Sequence, residues 1–370
     1  MSGNGTKVVI GMDLGDKHSQ LSVIHRDTGE VEERRIVTSE EAMRRTFEGY
    51  ENARVALEVG THSPWVNRLL EKLGHEVIVA NPRMLGLIHG DKNKDDRSDA
   101  EKLAMLADYD PKVLCPIEHR SAEAQADLAV ARARDALVRT RTLLINHVRG
   151  AVKSVGGRLT KCATRSFDEH ALAKLPDLLR PALELLVQQI GTMTATIGEY
   201  DKKIEALNQK HSATARLRQV AGVGPITALV FTLVIANPLR FKRSRDVGAY
   251  AGLVKRRCQT GESDPELRIT KAGDRLLRRL LVQSAQFILG PFGPECDLRN
   301  WGLGLAARGR KNAKKRAVVA VARKLAVLLH RLWITGETYD PLRNTKLRSA
   351  KKAACPTTAE AGHETAASEG

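Results

Sequence analysis

Aromatic residues are scarce in this chain, with three Trp, five Tyr and six Phe among 370 residues. So few flat rings argue against base stacking as the main way of holding a ligand. Cysteine is equally thin. Cys115, Cys162, Cys258, Cys296 and Cys355 lie far apart without a C-x-x-C pair. That pattern offers neither a disulfide framework nor a zinc site, and it reads as reduced thiols. No apolar run approaches the ~18 residues of a membrane span. MSGNGTK leads straight into a strand-like run rather than a signal peptide. The expectation is a cytoplasmic protein with no membrane partner. Negative charge is short too: 43 Asp and Glu against 60 Lys and Arg leave a net charge of +17. Such an excess suits a polyanion, and nucleic acid before a lipid surface because no basic amphipathic anchor stands out.

What is present falls into stretches of different periodicity. KVVIGMDL, QLSVIHR and EVEERRIV read as three strands, the last two joined through DTGE. A helix with a Ser N-cap follows in SEEAMRRTFEGY, then strand ARVALEV, helix HSPWVNRLLEKLG and strand HEVIVANP. Hairpin-joined strands followed by strand–helix units predict a mixed sheet with helices on its faces. From about Ser121 to Gln219 strand signals vanish, and apolar residues recur at helical spacing. Long helices joined near Gly156 and Gly157 fit either an antiparallel coiled-coil arm or an ordinary helical bundle. Beyond Leu217 come LRQVAGVGPITALVFTLV, a mixed segment, and the basic helix KNAKKRAVVAVARKLAVLLHRLW. After about Asn344 the apolar period is lost, and a disordered tail is expected.

One short stretch does not suit so basic a protein. DDRSDAEKLAML puts three aspartates and a glutamate within a few positions of a helix start. Asp96 and Asp99 are three apart and share a helix face. Asp13 interrupts the apolar strand KVVIGMDLG, and Glu58 ends the strand ARVALEVG. Four carboxylates converging at one sheet edge would repel unless divalent cations lay between them. Their oxygen ligands suit magnesium or manganese, and two such ions can activate a nucleophile and stabilise the leaving oxygen of a phosphodiester. The bland alternatives are helix-start acids favoured by the dipole and, for Asp13, a strand-end turn.

With those residues in view, GMDLGDKHSQLSVI, ALEVGTHSPWVNRLLEKLG and NKDDRSDAEKLA resemble the RuvC-like DEDD domain of one insertion-sequence transposase family, the DNA recombinases guided by a bridge RNA. VAGVGPITA, GAYAGLV, LRITKAGDRLLRRLLVQSA and the basic helix resemble that family's C-terminal transposase domain. The resemblance implies an α/β RNase H-like (RuvC-like) domain over 6–115 and a long helical coiled-coil arm over 116–215. It further implies a mainly helical C-terminal domain over 216–343 with a helix-hairpin-helix-like turn, and a tail over 344–370. It identifies Asp13, Glu58, Asp96 and Asp99 with the family's four metal-binding acids. The implied partners are DNA, a structured guide RNA and further copies of the chain, as dimers that pair into tetramers on DNA.

The family's remaining catalytic group is a serine that attacks DNA. Here an ungapped alignment through RRCQTGESDPELRI places Thr260 in its slot, a departure from the family, with Ser263 as the other candidate. Threonine carries the needed hydroxyl but is hindered by its methyl group. Arg256, Arg257 and Arg268 could stabilise the developing phosphorane charge. Gly222 and Gly224 in the GVGP turn would let a phosphate approach backbone amides. Lys271, Arg275, Arg278, Arg279, Lys311, Lys314, Lys315 and Arg316 are the other expected nucleic-acid contacts. Two competing readings remain. A non-catalytic nucleic-acid-binding remnant would explain Thr260. An actin-like phosphotransferase also carries D-L-G on its first strand, but its Gly- and Thr-rich phosphate loops are missing.

Overall fold

The computed structural model describes residues 6–81, 95–259, 261, 263, 267–309 and 312–354. Thr260 and Lys311 lie outside them. The chain divides into two compact units, Met1–Ser121 and Ala122–Gly370.

In the first unit, β1 (Val8–Leu14), β2 (His18–His25) and β3 (Val31–Val37) form an antiparallel meander. After α1 (Glu40–Phe47), β4 (Arg54–Glu58) joins parallel to β1. After α2 (Ser63–Lys72), β5 (Glu76–Ala80) joins parallel to β4, and α3 (Asp96–Tyr109) follows. The order β3-β2-β1-β4-β5 is the mixed sheet read from the sequence and is consistent with an α/β RNase H-like domain. Ser39 caps α1 as expected, accepting from the Ala42 amide at 3.2 Å.

Strand alternation assigns the two faces. Ile10, Met12, Val55 and Leu57 pack with Met43, Phe47, Val66 and Leu70 of α1 and α2. Val9, Ala56, Ile78 and Ala80 pack instead with Leu103 and Ala107 of α3. With a period of two, Gly11 and Asp13 share the α3 face with Val9, and Glu58 shares it with Ala56. At the opposite end of the sheet, His75 is buried against Phe47. Its Nδ1 accepts the Ala53 amide at 3.2 Å, so Nε2 is the nitrogen that donates to the Phe47 carbonyl at 3.2 Å.

The second unit opens with α4 (Ala122–Ser154), then the short α5 (Phe167–Lys174) and α6 (Arg180–Lys210). The two long helices lie antiparallel. Asp127 pairs with Lys210, Arg134 with Asp201 and Arg141 with Thr194, three polar rungs seven residues apart along α4. The connection is more than the expected turn at Gly156 and Gly157, because Phe167 and Ala171 of α5 plug the far end against Val148, Val152, Val187 and Ile190.

Next come α7 (Ala213–Leu217), the buried α8 (Pro225–Ile235) and α9 (Asp246–Tyr250). Then α10 (Arg275–Leu289), α11 (Asp297–Ala306) and α12 (Ala313–Thr335) complete the core. The long helices enter the same core through Leu128, Ala131 and Ile204, beside Leu229, Leu281 and Leu325. Where a structureless tail was expected over 344–370, the chain forms α13 (Arg343–Ala354) in its first part, and 355–370 lie outside the described residues. Asp297 caps α13, accepting from the Asn344 and Thr345 amides at 2.7 and 3.1 Å, a long-range partner that local composition does not reveal. Among the described residues no helix is long and apolar enough to cross a membrane.

Candidate functional site

The four acids all belong to the first unit, and one glycine explains how they meet. A methyl group built on Gly11 would lie 2.0 Å from the Ala100 carbonyl oxygen and 2.3 Å from the Ala104 nitrogen. No other residue lets α3 lie so close to β1. The helix runs opposite to the strand: Ala107 packs near Val9, Ala100 and Ala104 cross Gly11, and the helix start therefore lies toward Asp13. Asp95 caps α3, its carboxylate accepting from the Arg97 amide at 3.4 Å, and so fixes where Asp96 and Asp99 begin the first turn. Met12 and Leu57 are partners in the parallel β1–β4 register, which makes Asp13 and Glu58 neighbours at the carboxyl ends of their strands.

The electrostatics agree with this convergence. Burial first, and then the charges of Asp96, Asp99 and Glu58 in that order, push the Asp13 carboxyl up from 3.8 to about 6 against a lowering backbone hydrogen bond at Leu14. The carboxylates are thus within Coulombic reach of one another. They are not yet closed around one point: among the described residues no group of three His, Cys, Asp or Glu is close enough to hold a metal ion.

The turn after Asp13 is braced by side chains the sequence did not single out. Ser19 and Thr38 hydroxyls are 2.8 Å apart, and Thr38 donates to the Gly15 carbonyl at 3.0 Å. At the end of β4, Trp65 Nε1 donates to His62 Nδ1 at 3.0 Å, while His62 Nε2 stands 3.5 Å from Asp16. The only sequence signal for this rim was the polar spacing of D-L-G-D and T-H-S next to apolar strands.

In the second unit the segment aligned with the family's nucleophile is carried by a two-stranded ribbon, 252–257 against 267–271. Arg256 donates its amide to the Arg268 carbonyl at 3.0 Å, Thr270 to Val254 at 2.9 Å, and Lys255 bridges Ile269. Ser263 is exposed near the tip. Thr260 lies outside the described residues. Arg256, Arg257 and Arg268 lie on the ribbon and are exposed, and Lys271 at its base takes a left-handed backbone with φ 55°.

The expected cations of α10 prove to have different surroundings. Arg278 Nη1 donates to the Ala251 and Ala272 carbonyls at 3.2 and 2.6 Å, tying the ribbon's base to the helix. Arg279 is paired with Asp135 of α4. Arg275 begins α10, which Asp274 caps by accepting from the Leu277 amide at 2.8 Å. Lys314, Lys315 and Arg316 are exposed in the first turn of α12. Gly222 has φ +78°, and a methyl group there would stand 2.9 Å from the Ser284 carbonyl, so its first role is to let α10 pack close. Gly224 is the N-cap of α8.

Comparison with known proteins gives consistent results along the chain. Residues 10–156 match the IS110-type DEDD transposase family, and residues 214–296 match the transposase IS116/IS110/IS902 family. A putative transposase y4pF/y4sB of Sinorhizobium fredii is 31% identical over 338 residues, covering 89% of this chain and 85% of its own. A probable family 20 transposase of Pseudomonas aeruginosa is 30% identical over 341 residues, covering 90% and 98%. The transposase for insertion sequence element IS1111A of Coxiella burnetii is 30% identical over 253 residues, covering 67% and 68%.

Proposed function

Because this chain belongs to the IS116/IS110/IS902 family of transposases, an enzyme family of DNA cleavage and strand transfer, we propose that its acidic edge is the centre of a metal-dependent recombinase. One observation carries the reading: Asp13 and Glu58 end neighbouring strands on the α3 face, and the charges of Asp96, Asp99 and Glu58 bear on Asp13. A donor set made only of carboxylates fits a hard divalent cation, magnesium or manganese. When bound, the metal supplies charge neutralisation and Lewis-acid activation at a phosphodiester. The protein's part is to hold Asp13 and Glu58 on rigid strands and bring Asp96 and Asp99 to them on the first turn of α3.

The attacking group in this proposal is a hydroxyl of the segment QTGESDPE, Thr260 or else Ser263. Its oxygen bonds to phosphorus, its proton departs to a base, and the strand oxygen leaves, so the protein becomes linked to one DNA end. In this proposal the ribbon arginines Arg256, Arg257 and Arg268 neutralise the phosphate under attack, a reading supported by their exposure and by the backbone pairing of Arg256 with Arg268. The three rungs at seven-residue spacing support treating α4 and α6 as a coiled-coil arm for self-association into dimers and tetramers. A guide RNA, a cytoplasmic site of action and the four-part division of the chain belong to the same proposal. A non-catalytic remnant is the second reading, favoured by threonine in the serine slot.

The test is strand cleavage and exchange with magnesium, the element's DNA ends and the RNA that copurifies with the protein. Asp13→Asn and Asp96→Asn should abolish cleavage while nucleic-acid binding persists. Full cleavage by both variants, or in excess chelator, would sink the metal-centre reading.

A further inference from the structure

Histidine is an uncommon choice at a helix start, where a short oxygen-bearing side chain usually caps the free amides. His62 is the N-cap residue of α2 and makes no side-chain cap bond. The turn from β4 into α2 is closed by its neighbour instead. Ser63, fully buried, accepts from the Gly60 amide at 3.0 Å and donates to the Gly60 carbonyl at 2.9 Å. The imidazole, a few residues beyond Glu58, is left with other work.

Both ring nitrogens of His62 are committed. Nδ1 accepts from Trp65 Nε1 at 3.0 Å, and the two rings meet edge to face at 87°. Trp65 packs on the core that β1 and β4 share with α1 and α2, so this partner is fixed. With Nδ1 accepting, the proton of the neutral ring sits on Nε2. That nitrogen stands 3.5 Å from Oδ1 of Asp16, in the turn between β1 and β2. The turn is tight, since a methyl group on Gly15 would lie 2.2 Å from the His18 carbonyl oxygen. Asp16 is 93% exposed, and a contact so wet adds little stability. Its value lies in where it is.

The parallel register of β1 and β4 ends with Met12 opposite Leu57. Asp13 and Glu58 lie one residue past that last pair. Each is held on its outer side, Asp13 opposite Gln20 of β2 and Glu58 opposite Ala80 of β5. Backbone pairing therefore does not fix them to each other, and their like charges push them apart. We propose that Trp65, His62 and Asp16 form a positioning relay, which ties the turn after Asp13 to the turn after Glu58 and holds the two carboxylates at the spacing a divalent cation needs. The inference rests on the metal-centre reading above and adds to it three side chains which that reading does not use. His62 is not itself a ligand in this role, because neither ring nitrogen has a lone pair to spare.

The experiment titrates manganese into the full-length protein without DNA and follows the free ion by electron paramagnetic resonance, so that no cleavage enters the measurement. His62→Ala should weaken manganese binding about tenfold. Asp16→Ala should lose at least as much, since it also removes a nearby charge. The double variant should bind no more weakly than Asp16→Ala alone, because both substitutions open the same contact. His62→Gln offers an oxygen to Trp65 and an N–H toward Asp16, and it should recover most of the affinity. Isotope labelling of the three Trp indole nitrogens gives a second readout. The Trp65 signal, identified by its loss in Trp65→Phe, should shift in His62→Ala while those of Trp301 and Trp333 stay in place and report an intact fold.

Unchanged manganese affinity in His62→Ala, no recovery in His62→Gln, or losses that multiply in the double variant would each overturn the relay. So would a Trp65 signal indifferent to His62→Ala, since Nδ1 would then not be its acceptor. Failure of the metal centre reads differently: Asp13→Asn would bind manganese as tightly as the unsubstituted protein. The relay alone fails if Asp13→Asn loses the ion and His62→Ala keeps it.

Discussion

The α-carbon of Gly11 faces the Ala100 carbonyl so closely that a single methyl group on it would stand 2.0 Å from that oxygen. The contact sets the distance between β1 and α3, and with it the distance between Asp13 and the carboxylates at the start of α3. Both the obstructing atoms are backbone, so neither can swing aside. Gly11→Ala should therefore cost about 1–3 kcal/mol or more as overpacking and should also abolish cleavage by lifting Asp96 and Asp99 away. Urea unfolding of the variant checks the first outcome and a cleavage assay the second. Unchanged stability would show that α3 is not held where the structure has it.

The acidic edge should betray itself in stability against pH. Asp13 ionises near 6 in the fold rather than at 3.8, because burial and then Asp96, Asp99 and Glu58 oppose its charge. A folded state that binds its proton more tightly than the unfolded chain loses stability as pH rises through that window and does not regain it above. In chelator, Asp13→Asn should consequently melt higher than the unsubstituted protein at neutral pH, and the difference should vanish toward about pH 4. Magnesium should raise the neutral-pH melting point of the unsubstituted protein more than that of the variant. A destabilised Asp13→Asn at neutral pH would contradict this account.

Two arginines on neighbouring elements should separate structure from binding. Arg278 is spent on the carbonyls of Ala251 and Ala272, so Arg278→Ala should cost about 1.5–3 kcal/mol without altering the salt dependence of DNA binding. Arg316 lies exposed in the first turn of α12. Arg316→Ala should make the salt slope of DNA binding shallower and cost less stability than Arg278→Ala. An exchange of those two outcomes would mean that the roles are reversed.

The hydroxyl can be identified by substitution. If Thr260 makes the covalent link, Thr260→Ser should retain or raise the rate, since it removes the hindering methyl group. Thr260→Ala should lose the covalent protein–DNA species with metal and nucleic-acid binding intact. Denaturing gels after incubation with labelled DNA would show the species directly. An active Thr260→Ala alongside a dead Ser263→Ala would move the role three residues along. If neither substitution matters and no covalent species ever forms, the remnant reading prevails.

Much of this protein was determined by local sequence. Strand alternation in KVVIGMDL and ARVALEV specifies which side chains share a face, and that alone places Asp13 and Glu58 together once the strands are neighbours. The Asp95 cap and the three-residue spacing of Asp96 and Asp99 likewise follow from helix geometry. Tertiary structure decided what no short window contains. Gly11 reads as a weak point in a strand until Ala100, 89 residues away, is laid across it. Arg278 reads as one member of a basic stripe until the ribbon brings two carbonyls to it. The segment after Asn344 looks structureless until Asp297 supplies its cap. Periodicity and capping act over a few residues along the chain, whereas close backbone approach, the capture of a cation and a cap from another helix depend on partners that only folding brings together.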